Sequence, residues 1–346
     1  MRSARAMERG ASEGGFVLAL VVFMLFAIAV ASATGYLVVS SEFMLGRHSR
    51  DGAEALTVAR AGLERFVSET MGVLPDTTTY ALGNGVAVVT TRRVYEEDGQ
   101  THIYYVRSEG TVDDIFTPGT PARRVVGAYA THHWRPVEHH AAVMIGADAL
   151  SVEGGGQAHG IDYSTALDCA EGGGPRIVGA IARLSVTGQS PSDIQGSPPT
   201  RTWAGGWSAI SDSIGVRWDV ISDPNFPVDF ENTLPSFGAL PADSFPVIRY
   251  TGWVNASFSG RGVLLVDGVF DPNSSFSWDG IVLARHIDDA AQGQIDGMLV
   301  AGLEEPNMYS SVGLSIDVKY HACNVYAASE SLSYLELMPH TVHEVN

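Results

Sequence analysis

Hydrophobic positions fall into distinct textures along this chain. Residues 16–41, FVLALVVFMLFAIAVASATGYLVVSS, carry no charge, and the first acidic residue after them is Glu42. A helix rises about 1.5 Å per residue, so this run spans about 39 Å, more than the roughly 30 Å of a bilayer's hydrocarbon core. A helix that is apolar on every face belongs in lipid or in a packed bundle. From Asp51 to Glu69 the period changes. Leu56, Ala59, Leu63 and Phe66 recur at helical spacing, while Glu54, Arg60, Glu64 and Glu69 occupy other faces. The pattern predicts one helix over 16–72, apolar all round in its first half and amphipathic in its second, about 85 Å long. Gly72 and Pro75 supply the stop.

Beyond the helix the texture is strand-like. Gly85–Val94, His102–Glu109 and Arg123–Trp134 are rich in β-branched and aromatic residues, with turn signals at Asp98-Gly99 and Pro118-Gly119 between them. They predict a small antiparallel sheet within 73–138, packed on the helix. Over 139–346, short apolar runs alternate with glycine, as in GRGVLLVDGVF, WDGIVLARHI and QIDGMLVAGL. Asp-Gly recurs at Asp267-Gly268, Asp279-Gly280 and Asp296-Gly297 without a strict period. This texture predicts a glycine-cornered β-solenoid-like domain, with a β-sandwich as the alternative. Residues 186–245 are the least regular and read as an insertion. Trp203, Trp207 and Trp218 there either pin loops to the body or offer stacking surfaces. The predicted class is α+β, mostly β.

Composition narrows the function. With 346 residues and 45% hydrophobic content the chain can bury one large or two ordinary cores. A net charge of −18 repels phosphate backbones and excludes nucleic acid as a partner. The two cysteines, Cys169 and Cys323, are too few for a zinc site. In an oxidising compartment they would close a long loop as a disulfide; the alternative is two unrelated buried thiols.

The start of the chain bears on the compartment. Residues 1–15 are polar and include Arg2, Arg5 and Arg9, which favour a cytoplasmic N-terminus and put residues from about Glu42 outside the cytoplasm. The junction Glu13-Gly14-Gly15-Phe16-Val17-Leu18 resembles a type IV prepilin leader. The resemblance implies cleavage between Gly15 and Phe16 by a prepilin peptidase, with the apolar segment retained. The segment SRDGAEALTVARAGLERFVSE resembles the end of the N-terminal region of PilX-type minor pilins, so the likeness covers about residues 13–70. One position departs from the major pilins. They place a glutamate at the fifth mature position, where it meets a neighbour's N-terminal amine, and this chain has Leu20 there. That departure fits a tip or low-copy subunit rather than a main fibre subunit.

The resemblance implies a non-catalytic minor pilin or pseudopilin without a cofactor. It would be a single-pass protein of the inner membrane with its C-terminal domain in the periplasm, assembled with other pilins into an extracellular pilus or a secretion fibre. The head would meet surface glycans, host or cell surfaces, or partner subunits. Two other readings of the apolar run stay open. One is a secretory signal peptide, with Ala31-Ser32-Ala33 as its cleavage site. The other is an uncleaved anchor. They lead to a secreted polysaccharide-acting enzyme and a membrane-tethered β-solenoid adhesin respectively.

Candidate chemistry is sparse. His132, His133, His139, His140 and His159 form a histidine-rich stretch, but adjacent histidines in a strand point to opposite faces. Asp271-Pro272-Asn273-Ser274 followed by Asp279 has the flavour of a calcium loop without the EF-hand glutamate or spacing. The runs Gly154–Gly156 and Gly172–Gly174 offer backbone amides to an anion, yet neither opens a predicted helix. No G-x-S-x-G, H-E-x-x-H or C-x-x-C motif is present. The sequence therefore predicts no catalytic residue and no metal ligand.

Overall fold

The computed structural model describes residues 13–70, 74–97, 101–113, 121–134, 136–203, 205 and 208–345. The arginines of the leader, Gly72, the turns at Asp98-Gly99 and Pro118-Gly119, and Trp207 lie outside the described residues. The chain is a long apolar helix followed by mostly β structure.

Helix α1 runs from Glu13 to Glu69. It begins ahead of Phe16 and ends before the predicted stop, where the Thr70 N–H closes on the Phe66 carbonyl at 3.0 Å. From Val17 to Gly46 no side chain is buried within the molecule. From Ala55 onward one stripe is buried: Ala55, Val58, Ala59, Leu63 and Phe66. The stripe follows the helical period and faces a sheet.

That sheet is a curled antiparallel meander of β1 (Thr77–Leu82), β2 (Gly85–Glu97), β3 (Thr101–Val112) and β4 (Ala122–His133). Val89, Val106, Val126, Ala128 and Ala130 meet the helix stripe to form its core. Small residues allow the close approach. A Cβ on Gly110 would lie 2.2 Å from the Ala55 carbonyl oxygen, and one on Gly62 would lie 2.3 Å from the Ala87 Cβ.

The strands that come next pair in parallel. In chain order they are β5 (Ala141–Ile145), β6 (Ala149–Val152), β7 (Gln157–His159), β8 (Val178–Ala182), β9 (Ser185–Gly188), β10 (Ile194–Gln195), β11 (Thr200–Thr202), β12 (Phe230–Glu231), β13 (Val247–Ala256), β14 (Ser259–Pro272), β15 (Ser277–Ile287), β16 (Gln292–Ala301) and β17 (Ser311–Lys319). The longest ladder runs β13-β14-β15-β16, with Val247, Val263, Ile281 and Met298 in register. Beyond β16 it continues through β5 to β8 and β11, and through β17 to β6, β7, β9 and β10. Aromatic rings fill the space behind it: Phe276 and Trp278 stack at 5°, and the Trp278 indole N–H donates to the Gly262 carbonyl at 3.0 Å.

The glycine corners explain the loose Asp-Gly recurrence. Asp279-Gly280 and Asp296-Gly297 lie one above the other on adjacent strands, over Arg261-Gly262. A Cβ on Gly297 would sit 1.8 Å from the Gly280 carbonyl oxygen, so neighbouring strands touch through bare backbone there. Asp267-Gly268 belongs to another corner, over Thr251-Gly252. The dipeptide is in register on neighbouring strands although its spacing along the chain varies.

Three features differ from the sequence expectation. The region 186–245 is not one irregular insertion: its first part supplies the parallel strands β10 and β11, and the rest holds the short helices α2 (Ser208–Ser213) and α3 (Trp218–Ile221). A further helix, α4 (Ala322–Ser331), packs across β14, β15 and β16, within the region 139–346 that the pattern predicts as β. The chain then returns to the antiparallel sheet, adding β18 (Tyr334–Leu337) and β19 (His343–Glu344) beside β4. The boundary at 138 therefore does not separate the two sheets, because a short C-terminal strand needs only a free edge and one apolar face, and Leu335 supplies that face.

Candidate functional site

The most extensive unsatisfied surface is the first half of α1. Leu18, Phe23, Leu25, Phe26, Leu37 and Phe43 are all exposed on it. Exposed apolar surface on this scale marks a membrane or protein contact. Three of its hydroxyls are arranged for an apolar surrounding: Thr34 donates to the Val30 carbonyl, Ser40 to Leu37 and Ser41 to Val38, so these three need no water. By length and apolarity this helix can cross a membrane. Gly15 and Phe16 lie within it, and Leu20 is exposed among the other apolar side chains. The Ala31-Ser32-Ala33 sequence also lies mid-helix.

In the β structure, Cys169 and Cys323 are joined in a disulfide with a Cα–Cα distance of 5.7 Å. It ties a loop near β7 to the start of α4. Beside it the Asp162 carboxylate accepts from the Ser164 N–H at 2.9 Å and hydroxyl at 2.6 Å, from the Gly174 N–H at 2.9 Å and from the Ala322 N–H at 3.0 Å. Burial raises its pKa, but these hydrogen bonds outweigh that and hold the carboxyl below its usual range. The glycine run Gly172–Gly174 thus does present an amide to an anion, and the anion is the chain's own carboxylate.

The other glycine run lines a polar cleft of about 570 Å³. Gly154 and Gly155 meet Ser274, Ser275 and Ser277 there, with Gln292, Gln294, Ser315 and Asp317. The Asp271-Pro272-Asn273-Ser274 sequence and Asp279 do not converge. Asp271 accepts from Trp253 and Asn255, whereas Asp279 lies in register with Asp296. The Asp279 carboxyl is pushed above its usual range by partial burial, then by the Asp296 charge, against His321 and Arg261.

The histidines are dispersed. His132 is buried and stacks on His102 across β3 and β4, His133 stacks on Tyr334, and His159 bonds to the Tyr163 hydroxyl at 2.6 Å. Among the described residues no three His, Cys, Asp or Glu side chains are placed to hold a metal. Trp218 is buried and Trp203 is half-buried against the same core, so both pin loops. Among the described residues the exposed indole is that of Trp253, 57% exposed on β13. Its position inside a strand-like run gave no signal that set it apart. No family model matches the chain, and no curated protein or solved structure matches it either.

Proposed function

We propose that this chain is a minor-pilin-like or pseudopilin-like structural subunit, non-catalytic, whose N-terminal helix anchors it in the inner membrane and packs with other pilin helices in a type IV pilus or related fibre. The observation that carries the reading is the continuity of α1. One helix from Glu13 to Glu69 joins a fully exposed apolar half to a half packed on an antiparallel sheet. A cleavable signal peptide needs no such rigid join to the folded head, whereas a packing rod does. The leader resemblance at Gly15 and Phe16 makes prepilin peptidase the processing partner, and Leu20 favours a low-copy or tip position. The head would then lie in the periplasm or on the fibre, and its parallel ladder with stacked glycine corners supports a β-solenoid-like coil.

The test is the N-terminus of the protein purified from membranes, read by mass spectrometry. A chain beginning at Phe16 is expected. A chain beginning at Thr34 points to a secreted protein, and one that retains the leader points to a plain anchor; either outcome overturns the reading.

A further inference from the structure

Along β13 the inward positions are Val254 and Ala256, both buried, and the outward ones are Trp253 and Asn255. On β14 the partners in register are Val269 beside Trp253 and Asp271 beside Asn255, with Phe270 between them turned into the core. The outer face therefore carries two rows. One is apolar, Trp253 and Val269, and ends at His286 on β15, which pairs with Glu305 at 3.3 Å. The other is polar, Asn255 and Asp271. Neighbouring parallel strands lie about 4.8 Å apart, so each row repeats on the scale of one sugar ring.

The indole is held rather than loose. Its N–H donates to Asp271 Oδ2 at 3.1 Å, and the Asn255 amide donates to the same oxygen at 3.2 Å. This fixes the ring beside the polar row and leaves Asp271 Oδ1 and the Asn255 carbonyl oxygen as acceptors. An exposed tryptophan forfeits the burial that the core offers to Phe276 and Trp278. A rigid aromatic face flanked by aligned hydrogen-bonding groups suits a pyranose, which has an apolar C–H face and a rim of hydroxyls. The charge of the patch also selects. Asp271 accepts from two neutral donors, the Trp253 indole and the Asn255 amide, and Arg285 on β15 is engaged by Asp267, Glu304 and Glu305. An anionic sugar would meet the uncompensated Asp271 carboxylate.

We propose that Trp253, Asn255 and Asp271 form a binding subsite for an uncharged pyranoside, the end or a segment of a neutral glycan. The subsite belongs to the head and stands whether or not the helix polymerises. The experiment is a fluorescence and calorimetric titration of the full chain in detergent with cellohexaose, chitohexaose and hexagalacturonate. Binding of at least one neutral hexasaccharide is expected, with no binding of the galacturonate. Trp253→Ala should weaken that binding by about tenfold or more, and Trp253→Phe by less, because the smaller ring keeps part of the stacking face. Since the indole is exposed, both variants should unfold at the wild-type temperature, and Trp253→Phe remains informative if the alanine variant is poorly folded. The proposal is overturned if neither neutral hexasaccharide binds at millimolar concentration, if the galacturonate binds best, or if the folded variants bind as the wild type does.

Discussion

Asp162 Oδ1 accepts the Ala322 N–H at 3.0 Å, across a sequence separation of 160 residues. Ala322 opens α4, and the residue after it, Cys323, is bonded to Cys169 in the loop that Asp162 organises. The carboxylate and the disulfide thus fasten the same two segments, one by accepting from the first amide of the helix and the other by a covalent tie.

Removing the tie should be costly, because its closed loop spans 154 residues. Chain entropy puts the contribution of a loop this long at about 5 kcal/mol. Replacing both cysteines by serine should lower the unfolding midpoint strongly, and Asp162→Ala should cost about 1–3 kcal/mol through the stranded amides. The two changes share a segment, so together they should cost less than their sum, which chemical denaturation of the double variant measures.

The pH dependence of Asp162 has a definite sign. Its folded pKa lies below the ordinary 3.8, so the charged form is favoured in the folded state. The stabilisation is complete above the unfolded value and is lost as pH falls from there through the folded one. The stability difference between wild type and Asp162→Asn should therefore be constant at neutral pH and shrink only below about pH 4.

Asp279 should behave in the opposite way. Burial and the Asp296 charge raise its pKa, so the folded state prefers the protonated acid. The penalty is absent below the ordinary 3.8 and grows as pH rises through the folded value. Asp279→Asn should raise the unfolding temperature at pH 7 and leave it unchanged near pH 3. An equal effect at both pH values would show that the charge is not what the site resists.

The seam between α1 and β3 tolerates no added carbon. Gly110→Ala would drive a methyl group against the Ala55 carbonyl oxygen and the Ala59 nitrogen. Overpacking of this kind costs about 1–3 kcal/mol. Amide exchange should speed up in the second half of α1 and in β3 while the parallel ladder stays protected, if helix and sheet part locally.

A charge in the exposed half of α1 should act on the membrane and not on the fold. Leu25 is exposed and makes no contact with the sheet core. An aspartate at mid-helix costs about 2.5–3.5 kcal/mol on insertion scales. Leu25→Asp should reduce the membrane-bound fraction on fractionation. Normal membrane levels would show that the helix does not rest in lipid.

The helix was legible because its signals are local. An uncharged run from Phe16 to Ser41 needs no knowledge of the rest of the chain, and the stripe at Ala59, Leu63 and Phe66 follows from helical geometry alone. The meander of β2, β3 and β4 was legible for a similar reason: sequential antiparallel strands need only short turns between alternating runs. The exposed tryptophan was not. Trp253 and Trp278 both lie in strands, and which one faces water depends on which side of the sheet is covered by the rest of the chain.

By itself, then, the sequence determined the apolar rod, its amphipathic continuation and the β-rich character of the remaining chain, since each rests on composition and period along the backbone. Tertiary structure alone decided the register that sets Asp279-Gly280 over Asp296-Gly297, the joining of Cys169 to Cys323, and the return of Tyr334–Leu337 to the edge of β4. Those pairings join residues far apart in sequence and are selected by shape, by apolar burial and by backbone hydrogen bonds that form only once the strands are brought together.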